Sequence, residues 1–252
     1  MALATFVLTV SESKRLIAKG VAGLPCIRRA MEKGYVAVGK GTTNAYVLEE
    51  LLGKPVEKRG YVLGATIPAK GAARASLLPA SIPDFVFKDG QVVQGLTLQA
   101  AIKEMGPGDV VIKGANALDY QRRLAGVLVQ HPEGGTMGVI TGRLHGRKIS
   151  LVIPVGLEKQ VVGDIRTAEA VLLAAGAEAS TSPSLWTMTG EIVTEIEALQ
   201  LLSEAQVTQI AAGGIGGAEG AVWLMVTGTQ EHVASAASIV TDIQGEPPFT
   251  SA

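Results

Sequence analysis

The sequence predicts an α/β protein: a Rossmann-like, mostly parallel sheet covered by helices, followed by a small C-terminal α+β module. Short apolar runs of strand length alternate with segments of helical periodicity along most of the 252 residues. This alternation is typical of a parallel sheet covered on both faces. The chain contains 31 glycines while aromatic residues make up only 4%, a composition that suits closely packed helix and sheet layers.

The elements of the first part follow in chain order from local signals. The N-terminal run lacks the basic start of a signal peptide and is predicted as a first strand. Ser11 is suited to cap the first helix, with Gly20 as its stop, and Pro25 suits the first turn of the second helix. Helices are predicted at 11–19, from 25 to near 34, from the end of a 39–44 turn to 52, and at 98–105, 135–145 and 167–175; strands are predicted at 35–38, 61–67, 84–87, 110–113, 127–130 and 150–155.

A small, polar segment at 177–184 predicts a linker. The division is therefore a Rossmann-like domain over 1–176, the linker, and an α+β module over 185–252. The tail pattern indicates helix 194–202, strands 207–212 and 221–227, and helix 231–243. Its glycine-rich stretch at 213–220 precedes a strand rather than a helix, which favours a hairpin over a phosphate loop. A unit this small is expected to need a partner surface.

Composition excludes several classes of protein. With 22 basic and 23 acidic residues, the net charge of -1 argues against a nucleic-acid partner. One cysteine and three histidines leave no disulfide, and the prediction is no metal and no cofactor. Long uninterrupted apolar runs are missing, so no membrane helix is expected. Only 18% of residues are charged, which predicts an apolar subunit interface and thus a homo-oligomer. The single cysteine favours a reducing compartment, so a cytoplasmic location is expected.

The first candidate binding segment is the glycine-threonine turn at 39–44, which lies between a predicted strand and a predicted helix. Glycines allow close backbone approach to an anion, and the first N–H groups of the helix are free donors. The spacing matches neither a P-loop nor a dinucleotide fingerprint. The alternative is that Thr43 or Asn44 only caps the helix.

A second segment runs from Lys113 to Tyr120 after an apolar strand. Ligands of open parallel sheets bind beyond the carboxyl ends of the strands. Lys113 would supply a cation there and Asn116 a directional amide. The alternative is an ordinary turn, in which Asp119 starts the next element.

A third segment, 130–136, places His131 and Glu133 before a double glycine that opens a predicted helix. Like the first two segments, it follows a predicted strand of the parallel sheet, so all three are expected to meet at one anion site at the carboxyl ends of these strands. An unperturbed histidine titrates near neutrality, and Glu133 could act as a base or a nucleophile. The alternative is a strand-to-helix loop with a surface histidine and a capping glutamate.

Three stretches of the chain resemble motifs of one superfamily, in the same order and at similar spacing over about residues 10–175. They are Gly-Lys-Gly-Thr-Thr-Asn at 39–44, Lys-Gly-Ala-Asn-Ala at 113–117 and Ile-Pro-Val-Gly-Leu-Glu-Lys-Gln-Val at 153–161. The superfamily is the NagB/RpiA/CoA-transferase-like group, and the likeness is greatest to its lactate-utilisation (LUD-type) domains. The resemblance implies a Rossmann-like sheet with a ligand above the carboxyl ends of its strands. The Asp-rich catalytic stretch of the sugar-phosphate isomerases has no counterpart here.

The predicted function is binding of a small anionic metabolite, namely a phosphate ester, a carboxylate or a CoA ester, with isomerase or acyl/CoA-transferase activity as its enzymatic form. The alternative is a non-catalytic ligand sensor or an oligomeric assembly subunit. The predicted catalytic residues are Glu133, His131 and Lys113. The predicted ligand-binding residues are Gly39, Lys40, Gly41, Thr42, Thr43, Asn44, Gly114, Asn116, Gly134, Gly135 and Thr136.

Overall fold

The computed structural model describes residues 1–67, 70, 78–179 and 181–249. Its α-helices are α1 (Val10–Gly23), α2 (Pro25–Glu32), α3 (Thr42–Leu52), α4 (Leu98–Ala101), α5 (Gly135–Arg147), α6 (Ile165–Ala175), α7 (Glu195–Ser203) and α8 (Gln230–Ile243). Its strands are β1 (Ala2–Leu8), β2 (Tyr35–Val38), β3 (Phe85–Lys88), β4 (Gln91–Val92), β5 (Val110–Ile112), β6 (Ala117–Asp119), β7 (Leu124–Val129), β8 (Ser150–Pro154), β9 (Ser184–Met188), β10 (Glu191–Val193), β11 (Gln206–Ala212) and β12 (Val222–Gly228). The predicted α/β class is confirmed.

The main sheet has six strands in the order β10-β8-β5-β2-β3-β4. The first four run parallel, while β3 and β4 are antiparallel. The four parallel strands therefore end along one side, at Val193, Pro154, Ile112 and Val38, and we call this side the carboxyl edge. Ligands of such sheets bind beyond this edge.

Two three-stranded antiparallel sheets flank the main sheet, in the orders β6-β7-β9 and β1-β12-β11. Strands of the predicted N-terminal domain pair with strands that lie wholly or largely in the predicted C-terminal module. β9 joins β7, β10 joins β8, and the N-terminal β1 pairs with β12 in register from Ala2↔Gly228 to Leu8↔Val222. Whether 1–176 and 185–252 fold as separate units stays a prediction. Ser180 of the predicted linker and residues 250–252 lie outside the described residues.

The predicted strand at 61–67 is wrong, because this stretch is irregular. Tyr61 and Val62 are buried, but the side chain of Tyr61 anchors the segment by donating a hydrogen bond to the Val38 carbonyl at 2.5 Å. β2 already has β3 on one side and β5 on the other, so no backbone ladder beside it is open. The predicted helix at 98–105 is shorter than expected, since α4 ends at Ala101.

The N-cap of helix α1 lies two residues before the predicted one. Thr9, not Ser11, is its N-cap, and Thr9 and Glu12 form a reciprocal capping box. The helix also continues through Gly20, the predicted stop. It packs against α3 and α7 and touches β8 and β10. Lys14, near the start of α1, lies within electrostatic range of Glu158 and Lys159, which follow β8, so this end of the helix lies beside the carboxyl edge. Among the described helices, none has both the length and the apolar character to cross a bilayer.

Candidate functional site

The first two predicted segments lie side by side on the carboxyl edge. The Gly39 N–H donates to the Ile112 carbonyl at 2.8 Å, and the Lys113 N–H donates to the Val152 carbonyl at 3.0 Å. A Cβ on Gly39 would lie 3.2 Å from Cδ of Lys113, so the lysine stem passes directly over this glycine. Hence β2 and β5 bring 39–44 and 113–114 into contact.

Asn44 holds the turn before α3 in place. Its buried Nδ2 donates to the Gly39 carbonyl at 2.6 Å, while its Oδ1 has no hydrogen-bond partner among the described residues. That oxygen faces Gly114, where an added Cβ would lie 3.6 Å away. The buried Thr43 Oγ1 is also without a partner within the described ranges. Gly41 is the N-cap, so neither Thr43 nor Asn44 caps α3.

The first turn of α3 leaves backbone donors open toward this edge. No side-chain cap hydrogen bond forms at Gly41 within the described part of the chain, and the first helical hydrogen bond is from Ala45 N–H to the Gly41 carbonyl at 2.9 Å. The N–H groups of Thr42, Thr43 and Asn44 thus have no acceptor among the described residues. Such a turn carries partial positive charge.

Five ionisable side chains gather at the same edge, and we call them the lysine–glutamate cluster: Lys14, Lys113, Glu158, Lys159 and Glu195. Lys14 comes from α1, Lys113 follows β5, Glu158 and Lys159 follow β8, and Glu195 follows β10. Burial, and then the charge of Lys159, lower the pKa of Lys113 to about 8. Burial and Lys159 likewise lower the pKa of Lys14 to about 8, against a smaller opposing effect of Glu158.

Glu195 is the most buried carboxyl group of the cluster, with no exposed surface. Its Oε2 accepts a hydrogen bond from the Leu157 N–H at 2.9 Å, while Oε1 has no partner among the described residues. Burial, and then the charge of Glu158, raise the pKa of Glu195 to about 7. A carboxyl group with this pKa can both give and accept a proton near neutral pH.

Glu158 lies against the backbone of Gly156, where an added Cβ would be 1.8 Å from Glu158 Oε2. Glycine at 156 therefore makes room for this carboxylate. Oε1 of Glu158 is 4.0 Å from Nζ of Lys159.

Sequence reasoning missed four members of the cluster. Glu158 and Lys159 were visible only inside the 153–161 motif, while Lys14 and Glu195 sit in helices without any local signal.

The third predicted segment does not follow a strand of the main sheet. It follows β7, which belongs to the β6-β7-β9 sheet, so the expectation that all three segments end strands of one parallel sheet is wrong. His131 and Glu133 are exposed, and the Glu133 N–H donates to His131 Nδ1 at 3.2 Å. Gly134 packs on Trp186, whose ring would lie 2.7 Å from an added Cβ. Gly135 and Thr136 form the start of α5.

Two other predicted residues have partners outside the cluster. Lys40 pairs with Asp84 at 3.3 Å and donates to Ser81 at 3.0 Å. Asn116 uses its Oδ1 to accept from the Leu128 N–H at 3.1 Å, so its amide supports the β6–β7 hairpin. Both residues therefore have structural partners that compete with a ligand.

Thiol and metal chemistry find little support in the described residues. Cys26 is half-buried, and burial, followed by the charge of Glu191, raises its pKa to about 11, so it is a poor nucleophile near neutral pH. Within the described ranges, no group of three His, Cys, Asp or Glu side chains has the geometry of a metal site.

Comparisons of the chain with family models, with curated proteins and with solved structures each gave no match.

Proposed function

We propose that this protein binds a small anionic metabolite at the carboxyl edge, through the ammonium groups of the lysine–glutamate cluster and the first turn of α3. The observation that carries the proposal is an excess of positive charge. Three lysines converge there with two glutamates, and one of these, Glu195, is only partly ionised near pH 7. The chemical classes are a phosphate ester, a carboxylate or a CoA ester.

The energetics of the lysines support an anionic ligand. The lowered pKa values of Lys14 and Lys113 mean that protonation of these amines is less favourable than in water, because both are desolvated and close to the charge of Lys159. A bound phosphate or carboxylate would supply the missing counter-charge and accept charge-assisted hydrogen bonds. The open N–H groups of α3 would add backbone donors.

The resemblance to the NagB/RpiA/CoA-transferase-like superfamily implies the same location for a ligand, above the carboxyl ends of a Rossmann-like sheet. Membership of this superfamily and the Rossmann-like description of the sheet are part of the proposal. In its enzymatic form, isomerisation or acyl/CoA transfer, we favour Glu195 over Glu133 as the acid–base group. Glu195 lies in the cluster, whereas Glu133 is exposed and follows a strand of another sheet.

The Lys113→Ala variant tests the binding site. We expect it to weaken binding of inorganic phosphate, citrate or coenzyme A by about tenfold or more, since a hydrogen bond to a charged group contributes roughly 1.5–3 kcal/mol. Isothermal titration calorimetry measures the change. Lys113→Arg should retain most of the affinity, and Lys103→Ala, an exposed lysine after α4, is the matched control. Equal affinity in Lys113→Ala and Lys103→Ala, or no binding of any of the three probes, would reject the site.

The assembly alternative is favoured by one observation, an apolar outer face on the β1-β12-β11 sheet. Leu3 is 60% exposed, Val7 38% and Trp223 40%, and Val7 and Trp223 are directly paired across the strands. We propose that a second copy of the chain covers this face. Sedimentation at micromolar concentration should give an oligomer that Trp223→Glu dissociates. A 26.0 kDa species for the unmodified chain would contradict this.

A further inference from the structure

We propose that Lys113 is a Schiff-base lysine, which condenses with the carbonyl group of an anionic substrate such as a 2-oxo acid or an aldehyde phosphate. The inference rests on the proposed anion site, because the charged part of the substrate must be held beside the amine. It adds a covalent activity and narrows the substrate to anions that carry a carbonyl group.

The amine of Lys113 is free to react. Its Nζ contacts the Gly114 carbonyl at 3.3 Å, and among the described residues no carboxylate lies within ion-pair distance of it. Two lysines that are held by carboxylates provide the contrast: Lys40 pairs with Asp84 at 3.3 Å and Lys58 with Glu49 at 3.2 Å. A carboxylate partner keeps a lysine in its ammonium form, which has no lone pair and cannot act as a nucleophile. Lys113 has no such partner among the described residues.

The surroundings of Lys113 favour the neutral amine. Desolvation, together with a neighbouring cation, is a recognised way to activate a lysine nucleophile. Lys113 has both, because it is partly buried and Lys159 lies within electrostatic range. With a pKa of about 8, a usable fraction of the side chain is unprotonated near neutral pH.

The groups around Lys113 match the two ends of such a substrate. Lys159 and the open N–H groups of α3 would hold the carboxylate or phosphate. Asn44 Oδ1, fully buried and without a partner among the described residues, faces Gly114, the residue whose carbonyl Lys113 contacts. In the proposed reaction, this unpaired acceptor would take a hydrogen bond from the hydroxyl of the carbinolamine.

The reaction balances without an oxidant or a reductant. The Nζ lone pair attacks the carbonyl carbon, the C=O π electrons move to the oxygen, and a proton passes from nitrogen to that oxygen. The resulting carbinolamine takes up one proton from solvent and loses water as the C–O bond breaks. The nitrogen lone pair then forms the C=N bond, which leaves a protonated imine with one N–H.

Reductive trapping of the full-length chain tests the inference. Glyoxylate, pyruvate and pyridoxal 5′-phosphate serve as separate charged probes, propanal serves as the uncharged probe, and borohydride reduces any imine to a stable amine. Peptide mapping by mass spectrometry should locate the adduct at Lys113 in the unmodified chain. Inorganic phosphate should protect it, and labelling by the charged probes should exceed labelling by propanal at least tenfold. The preferred charged probe distinguishes carboxylate from phosphate recognition.

The outcomes separate this inference from the anion site. Adducts spread over surface lysines, with Lys113 unmodified, would overturn the Schiff base while phosphate binding by calorimetry still stands. Equal labelling of Lys113 by propanal and by the charged probes, without protection by phosphate, would overturn the anion site instead. Lys113→Arg keeps the charge but cannot form an imine, and it should lose the specific adduct. The mapping of the unmodified chain does not depend on this variant folding.

Discussion

Arg15→Ala should lower the free energy of unfolding by about 3–5 kcal/mol, because it removes the shared partner of three largely buried carboxylates. Arg15 donates to Glu49 at 2.5 Å, to Glu50 at 2.9 Å and to Glu246 at 2.9 Å. Its side chain is only 14% exposed and that of Glu49 only 7%. Lys58 also contacts Glu49 and Glu246, at 3.2 and 3.8 Å, which places the loss near the lower end of this range.

Urea unfolding at neutral pH measures the effect, and Lys19→Ala is the matched control. Lys19 lies one turn further along α1 and pairs with Glu50 at 3.6 Å, but its side chain is 37% exposed. Exposed pairs contribute only about 0.2–1 kcal/mol, so the two variants should differ clearly. Equal losses would show that the Arg15 network adds nothing beyond a surface ion pair.

The Arg15 effect should also depend on pH. Burial raises the pKa of Glu49, but hydrogen bonds from the Val56 N–H, Arg15 and Lys58 outweigh it, so the pKa is lowered from the ordinary 4.5. A lowered carboxyl pKa stabilises the fold above pH 4.5, and this stabilisation is lost as the pH falls through the folded value. The gap between Arg15→Ala and the unmodified chain should therefore narrow under acid conditions.

Glu195→Gln should raise the free energy of unfolding relative to the unmodified chain, and the gain should grow as the pH rises. The pKa of Glu195 is about 7 in the folded chain and 4.5 ordinarily, so the folded state binds the proton more tightly. The cost of ionising Glu195 is absent below pH 4.5, grows between pH 4.5 and 7 and is complete above pH 7. A shift of this size corresponds to on the order of 3 kcal/mol.

Chemical unfolding from pH 4.5 to 8 checks this expectation. The amide of glutamine matches the carboxyl group in size but cannot ionise, so the stability of Glu195→Gln should gain on the unmodified chain across this window. Lys14 and Lys113 are present in both proteins, so the difference between the two curves reports the charge of Glu195 together with its coupling to its neighbours. Glu104→Gln, at an exposed position, should give a curve parallel to the unmodified chain. A parallel curve for Glu195→Gln would disprove a costly buried charge.

Local patterns were sufficient for most elements and for half of the proposed site. The runs that became β2, β5 and β8, and the glycine turn that leads into α3, were readable because apolar periodicity and turn residues act over a few neighbours. Parallel strands end on a common side of a sheet, so 39–44 and Lys113 could be placed together before the sheet order was known.

The third segment shows where that reasoning stops. Its strand was predicted at 127–130, and β7 is present there. However, the apolar pattern of a strand does not indicate which sheet the strand joins. Pairing of β7 with β6 and β9 is decided by long-range packing. His131 and Glu133 were therefore assigned to the carboxyl edge of a sheet to which their strand does not belong.

The chemistry of the cluster arises from residues far apart in the chain. Lys14 and Glu195 are 181 positions apart, and both lie in amphipathic helices where a charged residue is ordinary. They meet at one edge because α1 packs against α7, so closely that a Cβ on Gly20 would lie 2.5 Å from that of Ala198. Desolvation and neighbouring charge set the pKa of a group, and neither exists until distant segments have packed together.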